Sequence, residues 1–173
     1  MSADWRIRLA RPDDAQAFHD VEADAGGLLE QHPSLAQITL PSPRSSQEYA
    51  AMIDKGHSLA AVSEDAVIGF VATRPFGREL HIHELSVRRS FQRRGIGATL
   101  LGALAIDAHN AGFAALTLNT FRDIPWNAPF YARQGFEIIG DIEAHPRLAH
   151  ALEKAVAARL PRENRCAMIR FLG

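Results

Sequence analysis

Three short apolar segments, followed by a long helical segment and one more apolar strand, constrain the fold of this chain most strongly. Residues 59–62, 67–73 and 80–87 are separated by short turn sequences, so they predict an antiparallel meander. Residues 96–111 carry apolar side chains at helical spacing, and residues 115–119 form an apolar strand. A strand, a helix and a second strand in this order predict a crossover connection. The expected class is α+β, with a mixed, mostly antiparallel sheet and helices on both faces.

Proline, glycine and serine indicate the limits of the remaining helices. The first helix is predicted to begin at Pro12 and to end at the Gly26-Gly27 pair, and the last is predicted to begin at Pro146. A helix over residues 46–55 is predicted with Ser46 as its N-cap. The other predictions are strands at residues 5–9, 136–139 and 165–172, a short helix at 127–134 and a loop-rich segment at 28–46.

Length and charge narrow the class of protein. The 173 residues fit one domain that covers residues 1–173. Lys and Arg number 19 and Asp and Glu number 20, so the chain lacks the basic excess of a nucleic-acid-binding module. One cysteine, Cys166, excludes a disulfide framework within the chain. Residues 1–11 have no apolar signal segment and no stretch has about 20 apolar residues, so we expect a cytoplasmic protein without a membrane partner.

A glycine-containing loop lies between the third strand of the meander and the long helix. Its candidate ligand-binding residues are Gln92, Arg93, Arg94, Gly95, Ile96, Gly97, Ala98 and Thr99. Free N–H groups at a helix N-terminus, close backbone approach at glycine and added arginine charge suit a pyrophosphate. The dinucleotide fingerprint does not match, because Leu100 stands where a third glycine is needed. Taken alone, the loop is also compatible with an ordinary surface turn.

The loop and its preceding strand resemble motif A of the GNAT superfamily of N-acetyltransferases. A second block resembles motif B of the same family: Asn127, Pro129, Phe130, Tyr131, Gly135 and Phe136. The resemblance implies a GNAT-type fold, acetyl-CoA as cosubstrate without a metal, and a homodimer. It implies that Leu85, Ser86 and Val87 hold the pantetheine, that the glycine loop holds the pyrophosphate, and that Asn119, Asn127, Phe130 and Tyr131 also contact acetyl-CoA. Tyr131 would protonate the leaving thiolate or donate a hydrogen bond to it.

Two histidines, His81 and His83, occupy alternate positions of the strand before the loop, so they are predicted to face the same side. With Tyr131 they resemble the corresponding residues of the arylalkylamine (serotonin) N-acetyltransferases. This resemblance implies a base that deprotonates the amine. Paired histidines are also compatible with a strand that has no catalytic role or, less readily, with a metal site that lacks further ligands nearby.

Glu84 is the rival base. Strict alternation places the histidine pair on one side with Leu85 and Val87, and Glu84 on the other side unless a bulge re-aims it. Imidazole has an ordinary pKa of about 6.5, against about 4.3 for Glu, so we favour the histidine pair as the base.

The predicted activity is acetyl transfer from acetyl-CoA to a primary amine by direct attack in a ternary complex. A regulatory GNAT domain that binds acetyl-CoA without catalysis is the alternative. An interaction module that uses the arginines of the loop is a further possibility. The acceptor is expected to be a small-molecule or peptide amine bound near residues 25–46, where Glu22 and Glu30 could attract a cation.

Overall fold

The structure is a computed structural model that describes residues 4–36 and 38–173, except for the side chains of residues 28–30. Its sheet has seven strands in the order β1-β2-β3-β4-β5-β7-β6. The strands are β1 (Arg6–Leu9), β2 (Leu59–Ser63), β3 (Ala66–Phe76), β4 (Glu79–Val87), β5 (Ala115–Phe121), β6 (Glu137–Ile138) and β7 (Arg165–Phe171). Only the β4–β5 pair is parallel among these neighbours, so the predicted mixed, mostly antiparallel sheet is confirmed.

Helices cover both faces of the sheet, as predicted. They are α1 (Ala15–Glu30), α2 (Ser46–Asp54), α3 (Ile96–Asn110), α4 (Ala128–Arg133) and α5 (Pro146–Ala157). On one face, Leu100 and Leu104 of α3 are fully buried against strand residues such as Leu80. On the other face, Phe18 of α1 stacks on Phe70 of β3 with ring centroids 4.1 Å apart. Among the described residues, none of the helices combines the length and the apolar character needed to cross a membrane.

Two predicted helix limits are wrong. The first helix does not stop at the Gly26-Gly27 pair but continues to Glu30. A side chain at Gly27 would collide with the Arg89 guanidinium, because its Cβ would lie 2.0 Å from Nη2, so this glycine permits a close contact rather than ending the helix. The N-cap of α2 is Ser45 rather than Ser46, since the Ser45 hydroxyl accepts a hydrogen bond from the backbone N–H of Glu48 at 3.2 Å.

A β-bulge interrupts β4 in its middle. Ala72 of β3 pairs with Glu84, but the next residue, Thr73, pairs with Ile82, so His83 is the extra residue. A bulge of this kind places two residues of one strand opposite one residue of its partner and changes the direction of the side chains that follow.

Because of the bulge, the prediction of which β4 side chains lie on the same face of the sheet is wrong. Leu85 and Val87 pack against the core beneath α3, whereas His83 and Glu84 both lie toward α1 and α2, near Arg44. Glu84 is therefore on the same side of the sheet as the histidines, and Leu85 and Val87 are not. The prediction failed because strict alternation holds only for a strand without a bulge.

Candidate active site

The parallel pairing between β4 and β5 ends halfway along both strands. It joins residues 79–82 to residues 115–118 and stops at the pair Ile82–Leu118. Beyond that point β4 remains paired with β3 up to Val87, and β5 remains paired with β7 up to Phe121. The two inner edges thus diverge with unpaired backbone groups. Such an edge can accept an extended, amide-containing ligand as if it were an added strand.

The N-terminus of α3 lies at the end of this gap. Gly95 is the N-cap, with a left-handed φ of 79° that glycine adopts without strain. The first backbone N–H groups of the helix have no partner within it and attract anions. The Gln92 side chain donates a hydrogen bond to the Val87 carbonyl at 2.9 Å, which ties the loop to the end of β4.

Gly97 lies where the helix N-terminus approaches the gap. A Cβ atom at Gly97 would stand 3.6 Å from Cζ of Phe130 and 3.8 Å from Cδ2 of Leu85. Glycine therefore keeps the space between these side chains open. Together, the unpaired strand edges and the helix N-terminus fit a ligand with an amide-containing chain attached to a pyrophosphate.

A cleft of about 1120 Å³ extends from the helix N-terminus along the diverging strands to α1 and the loop before α2. The predicted site residues that line it are His83, Glu84, Leu85, Ser86, Val87, Gln92, Arg93, Gly95, Ile96, Gly97, Ala98, Asn119, Asn127, Phe130 and Tyr131. Most of the predicted site thus lies in one cavity. The predicted residues outside the lining are His81, Arg94 and Thr99.

The side chains of Arg94 and Thr99 contact nearby residues of the loop and of α3 and do not line the cleft. The Arg94 guanidinium lies over the Phe91 ring, 4.9 Å from its centroid, and the side chain is exposed. The Thr99 hydroxyl donates a hydrogen bond to the Gly95 carbonyl at 2.8 Å, within the first turn of α3. The spacing along the sequence placed both residues in the loop but did not show which way their side chains point.

His81 is buried on the far side of the bulge. Its Nδ1 lies 2.8 Å from the Thr117 hydroxyl and 3.2 Å from Nη1 of Arg147, and a guanidinium can only donate. Nδ1 is therefore an acceptor and the ring is neutral. Burial, with the nearby His83 and Arg147, holds the pKa of His81 well below its ordinary value. The structure consequently does not place His81 where the predicted base has to be.

His83 stacks edge-on against His81, with ring centroids 4.8 Å apart, and lines the cleft. Burial, together with the positive charges of Arg44 and Arg74, lowers the pKa of His83 to about 4. The imidazole is neutral at pH 7 but is a weak base. Within residues 4–36 and 38–173, no three His, Cys, Asp or Glu side chains group as metal ligands would.

Glu84 lines the cleft among charged side chains from three other parts of the chain. Its Oε1 lies 3.8 Å from Nη1 of Arg44. Burial and the nearby Glu22 carboxylate raise the pKa of Glu84 to about 7, against the opposing effects of Arg44 and Arg165. Of the two candidate bases that line the cleft, Glu84 and His83, Glu84 thus has the pKa that suits proton transfer near neutrality.

Tyr131 of α4 is almost fully buried, with 8% of its surface exposed, and lines the cleft. Burial raises the pKa of Tyr131 well above its ordinary value, and the negative charge of Glu84 adds to the shift. The phenol therefore keeps its proton through the neutral pH range, and its hydroxyl is available as a hydrogen-bond donor.

Two asparagines of the cleft carry unused polar atoms. Thr120 donates a hydrogen bond to Oδ1 of Asn127 at 2.7 Å, which leaves the Nδ2 group of Asn127 as a donor. This Nδ2 and Oδ1 of Asn119 are buried without a hydrogen-bond partner among the residues that the structure describes. Unsatisfied groups in a cleft are expected to bind a polar ligand.

Sequence reasoning missed Arg44 and Arg165, which carry much of the positive charge around Glu84. Arg44 belongs to the loop-rich segment in which the acceptor is expected from the sequence, but the residue itself is not identified there. From the sequence, Arg165 is predicted only as the first residue of the last strand. Glu22 was named and lines the cleft, where its carboxylate accepts a hydrogen bond from the Tyr49 hydroxyl. The side chain of Glu30 lies outside what the structure describes.

Comparison with known proteins gives one family match. The family described as the acetyltransferase (GNAT) family matches residues 28–136, which is more than half of the chain. This stretch contains the meander, α3 and the α4 segment that surround the cleft.

Solved structures with the same fold include three whose ligands or activities are stated. One is the PaiA N-acetyltransferase of Thermoplasma acidophilum in complex with coenzyme A, at a TM-score of 0.71 and 16% identity, with 99% of both chains covered. Another is the ribosomal-protein-S18-alanine N-acetyltransferase of Escherichia coli, at 0.68 and 17%, with 98% of this chain and 94% of that chain covered.

The third is N-acetylglutamate synthase of Neisseria gonorrhoeae with coenzyme A and N-acetyl-glutamate, at a TM-score of 0.69 and 21% identity. All of this chain is covered, but only 36% of that longer chain. At these identities the similarities show a shared fold, and two of the three proteins hold coenzyme A in it.

Proposed function

This chain belongs to the GNAT acetyltransferase family and acts with coenzyme A, and from that premise we propose that it acetylates a primary amine by direct attack in a ternary complex. The observation that carries the proposal is the single cleft in which the diverging β4 and β5 edges, the α3 N-terminus, Glu84 and Tyr131 meet. Acetyl-CoA supplies the acetyl group as a thioester, which is already activated for transfer.

The residues that would hold acetyl-CoA divide into two groups. The backbone of Leu85 and Val87 offers the unpaired edge of β4 to the pantetheine amides. Gln92 to Ala98 offer backbone N–H groups to the pyrophosphate at the start of α3. Asn119 and Asn127 add an acceptor and a donor that lack partners in the described part of the chain.

Glu84 is the base in this proposal, in place of the histidine pair. Its carboxylate accepts the proton that the acceptor ammonium must lose before nitrogen can attack. A pKa of about 7 lets Glu84 be ionised in much of the protein at neutral pH and still bind a proton effectively. The pKa of His83, near 4, makes that imidazole a poorer proton acceptor at the same pH.

In this proposal, Tyr131 stabilises the sulfur atom of the departing coenzyme A. As the new C–N bond forms and the C–S bond breaks, negative charge develops on the sulfur, and the Tyr131 hydroxyl donates a hydrogen bond to it. The ordinary pKa of tyrosine, about 10, already exceeds that of a thiol, about 8.5, and burial raises the pKa of Tyr131 further, so hydrogen bonding is favoured over complete proton transfer.

The alternative function, a regulatory domain that only binds acetyl-CoA, does not explain why a carboxylate with a raised pKa, Glu84, lies in the cleft. A carboxylate held at a raised pKa destabilises the folded protein when it ionises, and a binding role does not need it. The resemblance to arylalkylamine N-acetyltransferases stays a prediction. It depended on the histidine pair, of which only His83 lines the cleft.

The test is release of free coenzyme A thiol from acetyl-CoA in the presence of a panel of primary amines. We expect amine-dependent release, with the acetylated amine identified by mass spectrometry. Release that no amine accelerates, in a protein that binds acetyl-CoA, would support the regulatory alternative instead.

A further inference from the structure

A second cavity of about 510 Å³, which we call the side pocket, opens beside Glu84 between α2 and the end of β3. Its polar lining comes from Arg44, Gln47, Glu48, Arg74 and His83, with Met52 of α2 in its wall. Arg44, Glu48 and His83 also line the cleft, so the two cavities adjoin. A molecule in the side pocket can therefore reach the base at Glu84.

The side pocket contains hydrogen-bonding atoms that the protein leaves unused. Within the part of the chain that the structure describes, Nε of Arg74 and Nε2 of His83 are buried and have no hydrogen-bond partner. A buried polar group without a partner destabilises the folded protein. Two such groups on residues that line one pocket favour a polar ligand there.

Arg44 stands at the boundary between the side pocket and the cleft, and contacts with α1 hold its backbone. Its N–H donates a hydrogen bond to Oε1 of Glu22 at 3.0 Å, and its carbonyl lies 2.8 Å from Nδ1 of His19. The Arg44 side chain is 31% exposed, and its Nη1 lies 3.8 Å from Oε1 of Glu84. That distance is longer than a good ion-pair hydrogen bond, so Arg44 can also pair with a ligand anion.

The charge of the side pocket matches a single negative charge. Arg44 and Arg74 contribute two positive charges, and His83 is neutral. Glu48, the one acid among the described residues that line the pocket, is exposed on the first turn of α2. Two guanidinium groups, opposed by Glu48 and by the Glu84 carboxylate 3.8 Å from Arg44, leave a net charge between zero and one as Glu84 ionises, which suits a carboxylate better than a phosphate dianion.

We propose that the acceptor is a free amino acid, whose carboxylate binds Arg74 and Arg44 in the side pocket while its amine faces Glu84. The proposal rests on the proposed acetyltransferase function and names the acceptor class for it. Arg44 is adjacent to Glu84, so the amine and carboxylate of the acceptor are separated by one or a few carbon atoms. The α-carboxyl of a protein N-terminus is part of a peptide bond, and a polyamine or an aromatic amine such as tryptamine has no carboxylate to place there.

The experiment compares the twenty free amino acids with their C-terminal amides, tryptamine, spermidine and a short peptide as acceptors. We expect one or more free amino acids to be acetylated, with kcat/KM about 10- to 100-fold above the matching amide, because hydrogen bonds to a charged group contribute about 1.5–3 kcal/mol. Acetylation of amides or other amines as readily as free amino acids overturns the inference and leaves the proposed function intact. Acetylation of none of them overturns both.

A matched pair of variants locates the carboxylate. In Arg74→Gln, the preference for the acid over its amide is expected to disappear, because only the acid loses a partner, while the KM for acetyl-CoA is unchanged. Arg78→Gln, which removes an exposed arginine from the turn between β3 and β4 outside both cavities, is expected to keep the preference. Equal losses for acid and amide in Arg74→Gln would show that the carboxylate does not bind there.

Discussion

Glu84 and Tyr131 line the same cleft, and each has a pKa displaced by burial. The direction of each displacement fits the role we assign. Burial favours the neutral form of both groups, which makes Glu84 a stronger base and keeps the Tyr131 proton in place. Their effects are coupled, because ionised Glu84 further disfavours ionisation of Tyr131.

Removal of the Tyr131 hydroxyl is expected to slow turnover without weakening acetyl-CoA binding. Tyr131→Phe retains the ring that packs against Phe130 and Phe136 and loses only the donor to the sulfur. We expect kcat to fall on the order of 100-fold, as for loss of a positioned proton or hydrogen-bond donor. Steady-state kinetics and calorimetry with acetyl-CoA measure the two quantities. Wild-type turnover in Tyr131→Phe would mean that water or another residue donates the hydrogen bond to the sulfur.

Glu84 is expected to reduce the stability of the folded protein at neutral pH. Its pKa is about 7 in the folded protein and about 4.3 when unfolded, so stability falls as pH rises between these values. Glu84→Gln removes that fall and is expected to increase the free energy of unfolding at pH 8, with no gain at pH 4. Urea denaturation at both pH values tests this. An equal effect at pH 4 and pH 8 would mean that the Glu84 pKa is not raised.

The choice between His81, His83 and Glu84 shows where reasoning from the sequence stopped. All three residues were recognised as candidates, and the intrinsic pKa values favoured the histidines. A single extra residue in β4 changed the direction of Glu84, and burial then lowered the pKa of the histidines and raised that of Glu84. Neither the bulge nor the burial is visible in local sequence, because both depend on packing against distant elements.

At the scale of elements, the site is formed where β4 separates from β5 and α3 begins. The order of strand, glycine loop and helix was predictable, because alternation, helical periodicity and glycine positions are local signals. The segment before α2 was not predictable in detail. Arg44 is held by backbone contacts to Glu22 and His19 of α1, and such contacts between distant residues leave no periodic pattern.

The N-terminus of α3 gives a test of the pyrophosphate site. In Gly97→Val, the added methyl groups would enter the space beside Leu85 and Phe130. We expect acetyl-CoA to bind on the order of 100-fold more weakly, equivalent to about 2.7 kcal/mol. Gly102→Val is the matched control, because Gly102 lies on the exposed side of the same helix with nothing within 4 Å of an added Cβ.

Calorimetric titration of acetyl-CoA into both folded variants gives the answer. Equal affinity for Gly97→Val and Gly102→Val would remove the α3 N-terminus from the binding site.

At the scale of the whole molecule, the cleft lies where the two halves of the sheet separate. α1 and the loop before α2 bring Glu22 and Arg44 from one face, whereas α4 brings Tyr131 from the other. The fold class followed from the order of elements along the chain. The assignment of residues 1–173 to one domain and the homodimer stay predictions.

The pH dependence of kcat/KM tests the central claim, that this cleft catalyses acetyl transfer with Glu84 as base. In the wild-type protein, kcat/KM is expected to rise with pH through an ionisation near 7, because ionised Glu84 is the active form. Glu84→Gln is expected to lose both that ionisation and most of the rate. His83→Gln is expected to keep the ionisation, whatever its effect on the rate. If His83→Gln loses the ionisation and Glu84→Gln keeps it, the base is the imidazole and the account given for this site is wrong.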